Sequence, residues 1–334
     1  MMHKFRMACP DSVAETLELL AGMEGEIAYL GGGTDLVPQM QDGRRQPDWV
    51  VDLSQIPELA CIRFDGERIR LGSTATFTQI AGSALIEEQG RCLAQAAGQV
   101  GSVQIRNRAT LGGNIASASP AGDSLPVLLA LDAKLTVLGP AGERRISFER
   151  FQIEPGEGLR RGELIAGIDF AAGSRGHTGD GRHVPADKSD FSAGGRHPIR
   201  VSAFGKIGSR QSVTIAKLNM AAFLEMEPGE GIVVKSRLAL GALGRHPFRL
   251  RNVEEEMRGR RLDDSLIVDV TKRLQEVVDG AIPGRYSQTY KRQAIRGLAA
   301  DVFGDLQQQV SVEKASSSNG PDQGGGKEEQ EIGC

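Results

Sequence analysis

Short apolar runs, separated by glycine, proline and charged residues, fill the first half of the chain. Residues 27–30 and 49–53 are apolar runs too short for a helix, which is typical of buried strands. Apolar residues recur at helical spacing between positions 13 and 20, directly after a serine that can cap a helix. Alternating apolar and charged residues predict β-hairpins at 62–72 and 134–147. The pattern therefore predicts strands and helices mixed along the chain, with glycine-bearing segments between them.

The second half of the chain has a different pattern. Three apolar segments predict a three-stranded antiparallel sheet: 204–207, 217–226 and 232–242. Helical spacing then follows at 253–258, 266–280 and 286–306. Strands followed by helices predict a separate α+β domain that begins near residue 201.

Two segments lack the apolar spacing of a strand or a helix. Residues 171–200 are rich in glycine, histidine and aspartate, which predicts an inserted polar loop. Residues 312–334 consist mainly of serine, glycine, glutamate and glutamine, which predicts a disordered tail.

The composition of the 334 residues narrows the classes of function. A net charge of −3 and an aromatic content of 4% give no support to nucleic acid as the main partner. No apolar run approaches the ~18–20 residues of a membrane span, and the first residues lack the apolar core of a signal peptide. The four cysteines have neither C-x-x-C spacing nor histidine partners, so we expect no metal site on this chain. These features predict a cytoplasmic protein without a membrane span.

Two glycine-bearing segments form the candidate binding site. The first glycine segment comprises Gly31, Gly32, Gly33, Thr34, Asp35 and Leu36. The second glycine segment comprises Thr110, Leu111, Gly112, Gly113 and Asn114. Glycine lets the backbone approach an anion closely and adopt positive φ without a clash. We predict that both segments are turns facing one ligand, so that their N–H groups reach a diphosphate from two sides.

The first glycine segment also fits other interpretations. It follows a predicted strand, and Asp52 lies about 20 residues later at the end of the next strand, as the ribose-binding acid of a Rossmann site does. Two residues count against a Rossmann site, because Leu36 occupies the third glycine position and Pro38 interrupts the following helix. From the residues alone, a phosphate-binding turn of another fold and a purely structural turn both stay open.

Polar residues beyond the second glycine segment extend the candidate site. Ser117, Ser119 and Asp123 carry side chains suited to bind ribityl hydroxyls or the edge of a ring. Asp123 is also suited to cap the helix that follows it. Lys206 lies among small residues of a predicted strand, where it either places a positive charge near a cofactor or lies in solvent.

Together these residues resemble the FAD-binding, or medium, subunit of the molybdenum hydroxylases. That family includes the medium subunits of xanthine dehydrogenase and carbon monoxide dehydrogenase. The resemblance rests on the first glycine segment, on residues 51–54, and above all on residues 106–115 with 119–123. Residues 286–298 are also similar to the final helix of the family, so the resemblance extends from about residue 5 to residue 303.

The resemblance implies an α+β fold in two parts. A two-lobed FAD-binding domain of the vanillyl-alcohol-oxidase or PCMH type is followed by a small C-terminal α+β domain, with a three-stranded antiparallel sheet and helices. The implied divisions are FAD-binding lobe 1 (1–56), FAD-binding lobe 2 (57–170), the inserted polar loop (171–200), the C-terminal α+β domain (201–311) and the disordered tail (312–334).

The resemblance also implies an electron-transfer role within a heteromeric oxidoreductase. A molybdopterin-containing large subunit oxidises the organic substrate, a small subunit with [2Fe–2S] clusters relays electrons, and FAD on this chain passes them to NAD or another acceptor. No side chain of this chain is then catalytic, because the flavin carries the redox step. The implied FAD contacts are Tyr29, Leu30, Gly31, Gly32, Gly33, Thr34, Asp35, Leu36, Val100, Thr110, Leu111, Gly112, Gly113, Asn114, Ser119, Asp123, Ile165 and Lys206.

The chain departs from the family pattern at two places. Val100 occupies a position beside the flavin that is often aromatic in the family. Residues 171–200 contain no cysteine, whereas relatives that reduce aromatic acyl-CoA thioesters bind an extra [4Fe–4S] cluster in a cysteine-rich insertion. Two alternatives to the electron-transfer role are a Rossmann-type NAD-dependent dehydrogenase and a non-catalytic assembly subunit that has lost FAD.

Overall fold

Three β-sheets, each packed against helices, organise the protein. The computed structural model describes residues 4–173, 198–210 and 213–318. The sheets have three, five and four strands in the order of the chain. The predicted α+β fold is confirmed.

The first sheet is small and parallel. Its strands are β1 (Arg6–Ala8), β2 (Ile27–Leu30) and β3 (Trp49–Asp52), with β3 in the centre. The helices between them are α1 (Val13–Gly22) and α2 (Leu36–Gln41). Ser12 caps α1 as its sequence context predicts, because its side chain accepts a hydrogen bond from the N–H of Glu15 at 3.2 Å. In this arrangement, the first glycine segment begins directly after the end of β2.

The second sheet is antiparallel and carries most of the helices. Its strands are β4 (Ile62–Phe64), β5 (Arg68–Gly72), β6 (Lys134–Gly139), β7 (Gly142–Ser147) and β8 (Leu164–Ala171), in the order β4-β5-β8-β6-β7. The associated helices are α3 (Phe77–Ala81), α4 (Ala84–Gln89), α5 (Arg91–Gly98), α6 (Val103–Arg106), α7 (Leu111–Ser117), α8 (Ser124–Ala130) and α9 (Phe148–Ile153). Both predicted hairpins are present, as β4-β5 and β6-β7.

The third sheet has four antiparallel strands rather than the three that the sequence predicts. The strands are β9 (Ile199–Ile207), β10 (Leu218–Met226), β11 (Val233–Gly241) and β12 (Phe248–Arg249), in the order β12-β11-β10-β9. The helices that follow are α10 (Arg251–Met257), α11 (Asp264–Ala281) and α12 (Gln288–Ser318). The strand β12 has two residues, so it is too short to produce an alternating apolar pattern.

The third sheet joins two hydrophobic cores. Phe204 and Phe223 pack into the core formed by the second sheet and its helices. Met220 and Leu224, whose side chains point to the opposite face, pack with the helices α11 and α12. The sheet is therefore buried on both faces, which explains its nearly continuous apolar strands.

Two predicted boundaries differ from the structure. The strands β8 and β9 include residue 171 and residues 199–200, which the sequence assigns to the polar loop; residues 174–197 of that loop lie outside the described residues. The helix α12 continues through residues 312–318, which the sequence assigns to the tail. These residues include glutamate, lysine and alanine, which favour helix and propagate one that packing has already begun. Residues 319–334 lie outside the described residues.

Candidate functional site

The two glycine segments lie directly against each other. A methyl group added at Gly32 would lie 1.7 Å from the carbonyl oxygen of Arg108, and one added at Gly31 would lie 2.8 Å from Oγ1 of Thr110. Neither position has room for a side chain, because atoms cannot approach this closely. The glycines of the first segment thus allow close contact between two parts of the chain that are distant in sequence.

The first glycine segment connects β2 to α2 and carries free hydrogen-bond donors. Gly33 has φ of +73°, which glycine adopts without strain. Among the described residues, no acceptor is bonded to the N–H groups of Gly32, Gly33, Thr34 and Asp35. Because backbone N–H groups in folded proteins normally have a partner, these four donors are available to water or to a ligand.

The second glycine segment is the start of the helix α7 and not the turn that the sequence predicts. Thr110 is the N-cap residue, and its Oγ1 accepts a hydrogen bond from the N–H of Gly113 at 3.1 Å. Gly112 packs so tightly that an added methyl group would lie 2.6 Å from Cβ of Ser73. The segment therefore has the capping pattern of a helix, and its glycines are explained by close packing and not by a turn.

A cleft of about 730 Å³ runs between the two segments. Twelve of the sequence-predicted site residues line it: Tyr29, Gly31, Gly32, Gly33, Thr34, Asp35, Leu36, Val100, Thr110, Gly113, Asn114 and Ser119. Its volume lies within the range of about 300–1,000 Å³ that is usual for small-molecule sites.

Sequence reasoning missed seven residues that also line this cleft. They are Gln39, Arg45, Phe77, Ile105, Ala109, Ala116 and Ile215, whereas Ser117, which the sequence analysis names, lines it as well. Gln39 could have been found, because it follows Asp35 by four residues in the helix α2 and so lies on the same face. Ile215 could not, because it belongs to the connection between two strands of the third sheet and approaches only in the folded chain.

A smaller pocket of about 60 Å³ adjoins the cleft and contains two more predicted residues, Gly112 and Ile165. Tyr29 and Thr110 line both cavities, so the two are adjacent. Burial, together with the negative charge of Glu163, raises the pKa of Tyr29 to about 12. Tyr29 is therefore a neutral hydroxyl at physiological pH.

Four predicted site residues line neither cavity: Leu30, Leu111, Asp123 and Lys206. Leu111 is fully buried in the hydrophobic core beside the second sheet. Leu30 is half-buried at the end of β2, where its side chain would lie 3.1 Å from a methyl group added at Gly33. Both side chains support the glycine segments from behind.

Asp123 and Lys206 form a buried ion pair next to the cleft. The carboxylate oxygen Oδ2 of Asp123 lies 2.6 Å from Nζ of Lys206, and the two side chains are 7% and 5% exposed. Lys206 also donates to the carbonyl oxygen of Gln99 at 3.0 Å, and Asn219 donates to Oδ1 of Asp123 at 3.1 Å. Gln99 precedes Val100, so the pair supports the part of the wall that carries Val100.

The structure separates these two residues from the cleft itself. Lys206 lines a neighbouring cavity of about 370 Å³, and Asp123 lines neither cavity of the glycine segments. The alternative role of Asp123 as a helix cap is wrong, because its side chain makes no capping hydrogen bond to α8. Burial raises the pKa of Asp123, and the positive charge of Lys206 opposes this shift.

The geometry suits a ligand with an anionic group and a flat ring. Unpaired backbone N–H groups at one end of the cleft are suited to bind phosphate oxygens. Apolar residues and hydroxyl groups in the smaller pocket are suited to one edge of a ring. Among the described residues, no group of three or more histidine, cysteine or acidic side chains could hold a metal ion. The same residues include no helix that is long and apolar enough to span a membrane.

Two family models match the chain over most of its length. Residues 3–170 match the FAD binding domain in molybdopterin dehydrogenase. Residues 203–306 match the CO dehydrogenase flavoprotein C-terminal domain.

Individual proteins match nearly the full chain. The chain is 29% identical over 310 residues to the nicotinate dehydrogenase FAD-subunit of Eubacterium barkeri, covering 92% of this chain and 98% of that protein. It is 26% identical to the xanthine dehydrogenase FAD-binding subunit of Escherichia coli O157:H7, and the match covers 88% of this chain and 93% of that protein. Its fold is similar to that of a chain of carbon monoxide dehydrogenase from Hydrogenophaga pseudoflava, with a TM-score of 0.76 and 23% identity. The match covers 92% of this chain and 99% of that chain.

Proposed function

The chain belongs to the family of FAD-binding subunits of molybdenum-dependent dehydrogenases, and on that premise we propose how it binds FAD and where the electrons go. Electrons arrive from [2Fe–2S] clusters of a partner subunit and leave to NAD or another acceptor. FAD supplies the redox chemistry, and the residues of this chain bind the cofactor, orient it and set its electrostatic environment.

One observation carries the proposed site: the glycine segments meet at a cleft in which four backbone N–H groups have no acceptor among the described residues. We assign these donors, at Gly32, Gly33, Thr34 and Asp35, to the FAD diphosphate. Each N–H group places a partial positive charge at a fixed position without a flexible side chain, which favours an anion. The second glycine segment forms the opposite wall through Thr110, Gly113 and Asn114. The N–H groups of residues 111–114 are already bonded within the chain, so they are not available to the diphosphate as the sequence predicts.

The remaining predicted contacts fall into two roles under this proposal. Asn114 and Ser119 line the cleft and bind polar parts of FAD through their side chains. Asp123 and Lys206 act indirectly, because they bind each other and hold the backbone before Val100 through the carbonyl of Gln99. Val100 then forms an aliphatic wall beside the cofactor.

The partners of the chain follow from the same proposal. A small subunit holds the [2Fe–2S] clusters and a large subunit holds molybdopterin and the organic substrate. The relatives support this assignment, since their names describe an FAD-subunit and, in carbon monoxide dehydrogenase of Hydrogenophaga pseudoflava, a medium chain. We place the complex in the cytoplasm, where the reducing environment suits cysteines that form no disulfide, such as Cys9 and Cys92.

The topology disagrees with the Rossmann alternative. A Rossmann domain has a mostly parallel, doubly wound sheet built from two βαβαβ halves. Here the parallel sheet has only three strands, in the order β1-β3-β2, and the helix α2 before the central strand has six residues. The strand–glycine–helix pattern at residues 27–41 therefore belongs to a different architecture.

Flavin retention tests the proposed site. We expect the purified wild-type chain to be yellow, with absorption near ~450 nm as is general for oxidised flavins. A Gly113→Asp variant should lose at least about 90% of its flavin, because the new carboxylate repels the diphosphate and its Cβ lies 2.9 Å from Oγ1 of Thr110. Absorption spectra and mass spectrometry of the released cofactor measure the loss.

A Gly297→Asp variant is the matched control, since Gly297 is exposed on α12 and an added methyl group meets nothing within 4 Å. It should retain flavin at the wild-type level. Normal flavin content in Gly113→Asp would contradict the assigned site. A folded, colourless wild-type chain that does not take up FAD would instead favour the non-catalytic assembly subunit.

A further inference from the structure

A separate cavity of about 370 Å³ lies beside the cofactor cleft, between residues 98–106 and the end of β9, and we call it the basic cavity. It has no lining residue in common with the cleft. Neighbours in the chain alternate between the two, because Val100 lines the cleft whereas Gln99 and Gly101 line the basic cavity. Ile215 and Thr214 alternate in the same way. A single stretch of chain therefore separates the two sites.

The lining of the basic cavity carries positive charge and no negative charge. Arg106, Lys206 and Arg210 line it, and no acidic residue does. The charge of Lys206 is compensated by the ion pair with Asp123. Among the described residues, Arg106 and Arg210 bond only to backbone carbonyl oxygens and have no carboxylate partner. Two uncompensated guanidinium groups at one cavity favour an anion.

The guanidinium group of Arg106 is held in an orientation that suits phosphate. Its Nη1 donates to the carbonyl oxygens of Val100 at 3.1 Å and Gly101 at 3.2 Å. Its Nε and Nη2 are bonded to no atom of the described residues, so this edge of the planar group is available. Two parallel N–H groups on one edge match two oxygens of a phosphate group.

Neutral hydrogen-bond donors accompany these charges. Gly101 has φ of +45°, and the N–H groups of Gly101 and Ser102 have no acceptor among the described residues. Oγ of Ser102 accepts a hydrogen bond from the N–H of Ile105 at 3.3 Å, which leaves its own O–H as a donor. Successive backbone N–H groups beside a residue with positive φ are typical of anion sites.

We propose that the basic cavity is a second anion site, which binds a phosphate group of a soluble ligand other than FAD. The inference goes beyond the proposed function and rests on it only for the presence of FAD in the adjoining cleft. The volume of the cavity lies in the range of small-molecule sites, so it has room for more than a phosphate ion. The phosphate group belongs either to a pyridine dinucleotide or to a free phosphate or phosphate ester.

Phosphate binding by the FAD-loaded chain tests the inference, because FAD then occupies the donors of the first glycine segment. Inorganic phosphate is titrated at constant ionic strength, and equilibrium dialysis gives its affinity. Arg106→Gln and Arg210→Gln should each weaken phosphate binding by about tenfold, since each removes a charged hydrogen-bond donor. Arg210 does not bond to Val100, so its variant separates loss of the site from displacement of that part of the backbone.

Arg108→Gln is the matched control, because Arg108 is exposed and lines neither the cleft nor the basic cavity. It removes the same charge and should leave phosphate affinity unchanged. An equal loss of affinity in all three variants would overturn the inference, since it would reflect the general charge of the surface. So would a wild-type chain that binds no phosphate. Phosphate binding that disappears when FAD is bound would assign the cavity to FAD and would also overturn it.

A titration with NAD+ distinguishes the two sources of the phosphate group. Competition between NAD+ and inorganic phosphate, with the same loss of affinity in Arg106→Gln, would support a dinucleotide. Phosphate binding without such competition would support free phosphate or a phosphate ester. If the wild-type chain takes up no FAD, the proposed function fails. The comparison of Arg106→Gln with Arg108→Gln in the cofactor-free chain then still decides the inference.

Discussion

The side chain of Asp123 shows how one buried pair connects two parts of the protein. Asp123 precedes α8, beside the second sheet, whereas Lys206 and Asn219 lie on neighbouring strands of the third sheet. Asp123 contacts Lys206 at 2.6 Å and Asn219 at 3.1 Å, so these side chains join the two parts. Because the pair is buried, removing one member leaves an uncompensated charge in an apolar environment.

A Lys206→Met variant should therefore be less stable by about 3–5 kcal/mol at pH 8. The loss of stability of this variant should be smaller at pH 5 than at pH 8, because the carboxyl group of Asp123 remains and can be protonated. Burial already raises the pKa of Asp123, and removal of Lys206 removes the charge that opposes this shift. A carboxyl group with a pKa above its unfolded value binds its proton more tightly in the folded state, so stability is greatest at low pH and falls as pH rises through the folded-state pKa.

Denaturant unfolding of the cofactor-free protein at pH 5 and pH 8 measures this effect. A double variant that combines Lys206→Met with Asp123→Asn is the control, since asparagine carries no charge to titrate. It should not recover stability at pH 5. Equal losses for Lys206→Met at both pH values would show that Asp123 is not the group responsible.

At the scale of single residues, the sequence was informative where backbone geometry limits the choice of residue. Gly31, Gly32 and Gly113 were found because glycine permits close approach to an anion, and the structure shows that they also make close contacts within the chain. Ser73 and Thr74, which line the smaller pocket beside the cleft, were not found, because serine and threonine occur in many environments. Their significance depends on Ala166, Gly112 and the apolar pocket, which meet them only in the fold.

The helix α7 is the element that most changes the interpretation of the sequence. Its first residues were predicted to be a turn because glycine adopts positive φ without a clash and lets the backbone approach an anion. The structure shows that Thr110 caps the helix and that Gly112 and Gly113 lie in its first turn. The cap fixes the N–H group of Gly113 against Oγ1 of Thr110, on the wall of the cleft.

Loss of this cap should affect both stability and cofactor binding. A Thr110→Ala variant is expected to lose about 1 kcal/mol of folding free energy, as is usual for an N-cap threonine. It should also bind FAD about tenfold more weakly, since the wall at Gly113 is no longer held. Thermal unfolding and FAD titration measure the two effects separately.

Ser12→Ala removes an equivalent cap from α1, where Ser12 accepts from the N–H of Glu15 outside the cleft. It should cost a similar free energy of unfolding and leave FAD affinity unchanged. If both variants weakened FAD binding equally, the effect would reflect general stability and not the position of α7.

Element types were predicted well where the apolar period was clear and several residues long. The hairpins β4-β5 and β6-β7 and the long helix α11 follow directly from alternation or helical spacing. The two-residue strand β12 carries no such period, although it pairs with β11, the strand immediately before it in the chain. The end of α12 was misplaced because a polar composition alone does not prevent a helix from continuing beyond its buried part.

At the scale of the whole molecule, the sequence indicated separate domains but not how closely they are joined. The third sheet contributes Phe204, Ala221 and Phe223 to the same core as α5 and α8. Ile215, from the connection after β9, reaches the cleft between the glycine segments. Such contacts depend on side chains far apart in sequence, so no local pattern predicts them.

The central claim is that two distant segments form one FAD site, and hydrogen exchange measured with and without FAD tests it most directly. The unbonded N–H groups of residues 32–35 should exchange rapidly in the cofactor-free chain and slowly when FAD is bound. Residues 110–117 should gain protection at the same FAD concentration, and the α12 residues 297–304 should not change. Protection of only one segment, or of neither when FAD is bound, would contradict a shared site.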